Sequence, residues 1–191
     1  MTKLKKGTGD NFSAMLSHDV TFRKYRNQVV ASVVTIPRKS KSKKKKEAIN
    51  RFRKANAYAK SILKEPGMNE LYAKGINDKK RSAHTVAVAD YLNAPEIQYI
   101  RMNVYQGVVG EKLRIKVTDD FQVTAVHVRF TSSDGELLEE GAAERYTRKP
   151  SMWVYTLTGT NPIVVGTAIE VIAQDRPGNK AMLESIVRDR A

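Results

Sequence analysis

From residue 96 onward, apolar side chains recur at every second position in short runs, and that period admits one class of local structure. Leu113, Ile115 and Val117 alternate with Arg114 and Lys116. Val126, Val128 and Phe130 repeat the pattern, as do Trp153, Tyr155 and Leu157, and then Ile169, Val171 and Ala173. Successive side chains of a strand point to opposite faces, so each run reads as a strand with one buried face. Ile97 and Tyr99, followed by Ile100, Met102 and Val104, change phase midway, which predicts a strand with a slip or bulge. Ser133-Asp134-Gly135 and Pro177-Gly178-Asn179 are turns, and a last run reaches Val187. Alternating strands at a spacing of roughly ten residues predict a β-sandwich over residues 96–191.

The first half has other periods. Residues 1–19 scatter Phe12, Met15 and Leu16 among Gly, Ser and charged residues and read as an extended arm that needs a partner to order it. Residues 20–37 supply Val20 and Phe22, turn material from Tyr25 to Asn27, then Val29, Val30, Val33, Val34 and Ile36, a β-hairpin ended by Pro37. From Lys44 to Leu63 the apolar and small residues Ala48, Ile49, Phe52, Ala55, Ala59, Ile62 and Leu63 share one helical face, which predicts that Ile49 and Phe52 anchor a helix stopped by Pro66-Gly67. A short helix is expected over Met68–Lys74. Ser82 is placed to cap another from Ala83 to Leu92, packed through Ala83, Val86, Ala87 and Tyr91. The predicted class is α+β: an arm over 1–19, a hairpin over 20–37, a basic loop and helical region over 38–95, and the sandwich.

Charge is segregated along this plan. Residues 1–62 hold 17 Lys plus Arg against 3 acids, whereas residues 96–191 hold 12 against 13. The densest stretch, Arg38–Lys54, carries Arg38, Lys39, Lys41, Lys43, Lys44, Lys45, Lys46, Arg51, Arg53 and Lys54 against the single acid Glu47. With Arg23, Lys24 and Arg26 of the hairpin, these are the candidate partner-binding residues. Lysine clusters attract polyanions through counterion release without reading sequence. The expected partner is an acidic protein surface within an assembly, or nucleic acid phosphates. Phe22, Tyr25 and Phe52 lie close enough to stack on bases, with Phe52, on the apolar helix face, read first as core; no sequence-reading motif is present.

The block from Val117 to Lys180 contains VTDDFQVTAVHVRF, the acidic turn SSDGELLEEG, Trp153 in MWVYTL, and GTAIEVIAQDRPGNKA. It resembles the bacterial immunoglobulin-like modules that end in an Asp-x-x-Gly-Asn turn. The preceding half, with its basic hairpin and RFRKANAYAKSIL, is similar to an uncharacterised class of bacterial proteins. The resemblance implies an immunoglobulin-like sandwich without the antibody-type disulfide, since the chain has no cysteine. Such modules serve as spacers, adhesins and virion surface domains.

Catalytic and metal chemistry find little footing. His18, His84 and His127 lie in separate segments without metal-ligand spacing, Gly7-Thr8-Gly9 follows no strand, and no GxSxG elbow occurs. Glu136, Glu139 and Glu140 read as a solvated loop or strand edge, because no apolar pocket is evident to raise one pKa. Asp119, Asp120 and Asp175 read first as turn acids at strand ends, with calcium binding among sandwich-end loops as the open alternative. No cofactor and no enzyme activity are expected. No stretch reaches the roughly 18 apolar residues of a membrane span, so a soluble, non-secreted protein is expected. The functional expectation is a non-enzymatic structural subunit of a large homo- or hetero-oligomeric assembly, held by its basic arm. A capsid auxiliary or decoration component of a virion is the leading instance. The alternative is a nucleoid-like or ribosome-associated protein binding nucleic acid in the cytoplasm.

Overall fold

The computed structural model describes residues 20–25, 28–33, 42–102 and 105–189. The expected arm, and with it Arg26, Arg38, Lys39 and Lys41, lies outside the described residues. The chain divides into two units, Met1–Lys46 and Glu47–Ala191.

In the first unit, β1 (Val20–Tyr25) and β2 (Gln28–Val33) pair antiparallel, from Val20 opposite Val33 to Tyr25 opposite Gln28. The expected pairing of two strands is therefore present, while the expected turn residues Arg26 and Asn27 and the expected end at Pro37 lie outside the described residues.

Three helices follow. α1 (Lys43–Ile62) begins at Ser42, whose hydroxyl accepts from the Lys45 amide at 3.3 Å, an N-cap contact. Its interior lacks Gly and Pro, and Ala55 and Ala59, one turn apart, are fully buried. Small side chains at that spacing let neighbouring elements approach closely. The expectation that Ile49 and Phe52 anchor the helix is overturned, because they are 37% and 55% exposed. The packed face begins one turn later, at Ala55. α2 (Met68–Ala73) follows Gly67, whose φ of 74° gives the reversal that Pro66 introduces. α3 (Ala83–Leu92) is capped as expected, by Ser82 Oγ accepting from the Thr85 amide at 3.2 Å. Ala55, Ala59, Tyr72, Ala83, Val86, Ala87 and Val88 form the helical core.

The remaining chain forms two four-stranded antiparallel sheets. One runs β3 (Glu96–Arg101), β4 (Lys112–Thr118), β8 (Met152–Thr156), β7 (Glu144–Arg145), with neighbours paired in that order. The other runs β10 (Lys180–Ile186), β9 (Ala168–Asp175), β5 (Val123–Thr131), β6 (Leu137–Ala142). The alternating sets meet in one core, with Leu113, Ile115, Val117 and Trp153 from the first sheet and Val126, Val128, Phe130, Ile169, Val171 and Ala173 from the second. That shared interior makes the arrangement sandwich-like. The phase change in β3 is a register shift between Ile97 and Tyr99 against β4. The stretch SSDGELLEEG is more than the acidic turn expected of it. Its first part turns at Gly135, φ 86°, and its second part is β6. That strand escapes the alternation rule because it is an edge, pairs only with β5, and leaves Leu137 and Leu138 exposed.

The helices and the sandwich meet at the β4–β5 loop. Phe121 leaves the sandwich and stacks on Tyr72 of α2, with ring centroids 4.6 Å apart. Gly75 makes room for it, since a Cβ there would lie 2.8 Å from Val86 Cγ1 and 2.9 Å from Phe121 Cδ2.

Candidate functional site

Two charged features stand out, one basic and one acidic. Among the candidate basic residues, Lys43, Lys44, Lys45, Lys46, Arg51, Arg53 and Lys54 lie on the first three turns of α1, and every one is exposed. Arg23 and Lys24 belong to β1. The first turn of α1 contains no acid, so four lysines crowd the end where the helix dipole is positive. Among the described residues, none of these seven cations is ion-paired. Arg51 also donates a hydrogen bond to the Leu92 carbonyl and so ties α1 to the end of α3.

The acidic feature lies where α3 meets the sandwich. Asp90 of α3, Asp119 of the β4–β5 loop and Asp175 at the end of β9 each bring a carboxylate oxygen within 4.8 Å of the others. Asp90 has no exposure and Asp175 has 1%. Tyr72 donates to Asp90 Oδ2 at 2.7 Å, and the Tyr72 hydroxyl lies 2.9 Å from that of Tyr58. Asp90 Oδ1 and both carboxylate oxygens of Asp119 are buried and accept no hydrogen bond from any described residue. Asn179 holds Asp175, donating from its amide N–H to Oδ1 at 2.6 Å and from Nδ2 to Oδ2 at 2.7 Å. The same Nδ2 reaches the Asp90 and Tyr91 carbonyls at 3.2 Å, which links the β9–β10 turn to the end of α3.

Burial pushes the Asp90 carboxyl up to about 7, with the hydrogen bond from Tyr72 opposing and the charges of Asp119 and Asp175 reinforcing the rise. Burial also raises Asp175, against its hydrogen bonds from Asn179, with Asp119 adding to the rise. The Tyr72 hydroxyl is raised by burial and by its bonds to Tyr58 and Asp90, and remains a neutral donor. Asp120 points elsewhere. It pairs with Lys80 at 2.9 Å and accepts from Asn93 at 2.6 Å, and these contacts outweigh its desolvation and lower its pKa.

The three acids of sequence therefore separate. Asp175 makes the expected turn contact, Asp120 is an ion-pair partner, and Asp119 makes no turn contact to its own backbone among the described residues. Asp90 was not among the candidates. Its signal is local: it follows Val86 by four residues and Ala83 by seven, so it lies on the packing face of the helix, among apolar residues.

Glu139 of β6 has a structural task. Its carboxylate accepts from the Tyr155 hydroxyl at 2.7 Å, the Thr158 amide at 2.6 Å, the Thr158 hydroxyl at 2.8 Å and the Gly159 amide at 3.1 Å. Desolvation pushes its pKa up, but these donors prevail and hold it below the usual glutamate range. Glu140 pairs with Arg129 at 3.0 Å. His84 is half-buried on α3, His127 is exposed on β5, and His18 lies outside the described residues. Neither described histidine joins the carboxylates. No helix among the described residues is long and apolar enough to cross a membrane.

No family model matches the chain, and no curated protein is similar to it. The crystal structure of CopC from Methylosinus trichosporium OB3b is similar over 47% of this chain and 87% of that one, at 14% identity and a TM-score of 0.35.

Proposed function

We propose that this protein is a non-enzymatic structural subunit of a large assembly, attached to an acidic partner surface through the basic face of α1, with an immunoglobulin-like sandwich displayed from it. The observation that carries the reading is the exposed cluster of Lys43–Lys46 at the N-terminal end of α1. Four cations at the positive end of a helix dipole oppose helix formation, so an anionic surface there would relieve a standing repulsion. Exposed Ile49 and Phe52 add apolar contact area beside the charges. The immunoglobulin-like description draws support from strand order. One sheet follows the A-B-E-D sequence of such sandwiches and the other G-F-C-C′. Trp153 sits on the strand equivalent to E rather than the C strand of antibody domains. A virion auxiliary or decoration protein is one setting in which a displayed sandwich and a basic anchor are used together.

The test is charge reversal in the full chain. Wild-type protein should sediment with its native assembly, and conversion of Lys43, Lys44, Lys45 and Lys46 to Glu should release it into the low-mass fraction. Equal sedimentation of the variant would remove the basic helix from the attachment. Release of wild-type protein by nuclease, with a steeply salt-dependent shift of unrelated DNA, would replace this reading with direct nucleic-acid binding.

A further inference from the structure

We propose that Asp90, Asp119 and Asp175 bind one divalent cation of the calcium class, which clamps α3 to the end of the sandwich formed by the β4–β5 loop and the β9–β10 turn. The donor set is oxygen alone, with no histidine or cysteine, which suits a hard cation. Oxygens within 4.8 Å of one another fit a shell of radius about 2.3–2.6 Å around a calcium ion.

An acidic cluster alone would not carry this, but the state of its oxygens does. Asp90 is fully buried, yet its Oδ1 accepts nothing, and both oxygens of Asp119 are in the same condition. Buried carboxylate oxygens are ordinarily satisfied, and leaving three together in one small space is costly unless something positive lies among them. Asp175 keeps capacity for an ion, because each of its oxygens accepts one hydrogen bond from Asn179 and retains a second lone pair. Three ionised carboxylates sum to −3. Among the described residues, Arg176 acts on Asp90 as a positive charge; it is part-buried, reaches Gln122 at 3.4 Å, and its Nε is buried without a partner. A residual charge of −2 is what a divalent ion neutralises.

The placement of the ligands also fits a structural role. The three ligands come from a helix, a loop and a strand end distant in sequence, so binding would add a further tie between segments already joined by the Phe121–Tyr72 stack, the Asn179 hydrogen bonds and the Lys80–Asp120 pair. The competing arrangement is a proton shared between Asp90 and Asp119 in place of the metal.

Thermal melting and terbium luminescence on the full-length protein separate these. Wild-type protein should melt about 5–10 °C higher when calcium is present at about 100 times its Kd than in excess chelator. Terbium, a calcium mimic, should show luminescence sensitised by the adjacent Tyr72 and displaced by calcium. Asp119→Asn should abolish both responses, and Asp134→Asn, in the exposed β5–β6 turn, should leave both intact. If the wild type melts identically in calcium and chelator and shows no sensitised terbium signal, the proposal fails and the shared proton stands. A calcium response retained in Asp119→Asn would overturn it as well, and an equal response to magnesium at equal concentration would overturn the calcium assignment.

Discussion

At the residue scale, Glu139 shows how one carboxylate can hold an edge strand. Four donors converge on it, and removing the acceptor leaves the Thr158 and Gly159 amides to be resolvated. Glu139→Ala is expected to cost about 2 kcal/mol, read from urea midpoints at unchanged slope. The pH dependence has a definite sign. A carboxyl held below its unfolded pKa contributes stability that is complete above the ordinary glutamate range and lost as pH falls through the lowered value. Acid titration of stability should therefore be shallower in Glu139→Gln than in wild type. Gly75 makes a second point at this scale. A methyl group there would press on Val86 and Phe121 at under 3 Å, so Gly75→Ala should destabilise by about 1–3 kcal/mol, checked by the same urea experiment.

At the scale of the element, α1 combines two opposed requirements. Its C-terminal half is held by Ala55 and Ala59 against the helical core, while its N-terminal half exposes its cations and carries the wrong charge for its dipole. Replacing Lys43 and Lys44 by Glu should stabilise the helix by about 0.3–1 kcal/mol for each residue, seen as slower amide exchange over the first turn. The same change should weaken retention on a polyanionic matrix, so elution would come at lower salt. Stability and retention moving in opposite directions would mark these lysines as kept for a partner, whereas unchanged retention would assign them to a solvated face. Ser42→Ala acts on the same end from another side. Loss of its cap should fray the first turn by about 1 kcal/mol without moving the urea midpoint of the sandwich.

At the scale of the molecule, the helices and the sandwich in Glu47–Ala191 are joined through Phe121, Asn179 and the pair of Lys80 with Asp120. The single tryptophan, Trp153, is buried in the sandwich, whereas helical ellipticity reports α1 to α3. The two signals should coincide in urea for wild-type protein. Phe121→Ala should lower helical stability by about 3 kcal/mol and move the ellipticity transition ahead of the fluorescence transition. Coincident curves in that variant would mean that the junction is held by the polar contacts instead.

Local order along the chain could be read from its amino acids. Alternation located β4, β5, β8 and β9, the phase change in β3 marked its bulge, and Ser82 announced α3, because strand period, helix period and capping act between residues a few positions apart. The segregation of charge was equally plain. What depended on tertiary structure were relations over long separations. Phe52 shares a helical face with Ala55 and Ala59, yet packing begins only at Ala55, since periodicity names a face and not how much of it is covered. β6 is a strand because β5 offers it a partner, not because its own residues alternate. Asp90, Asp119 and Asp175 look like one helix residue and two turn acids until α3 is laid against the end of the sandwich. Their meeting is a property of that contact, and no local rule of sequence contains it.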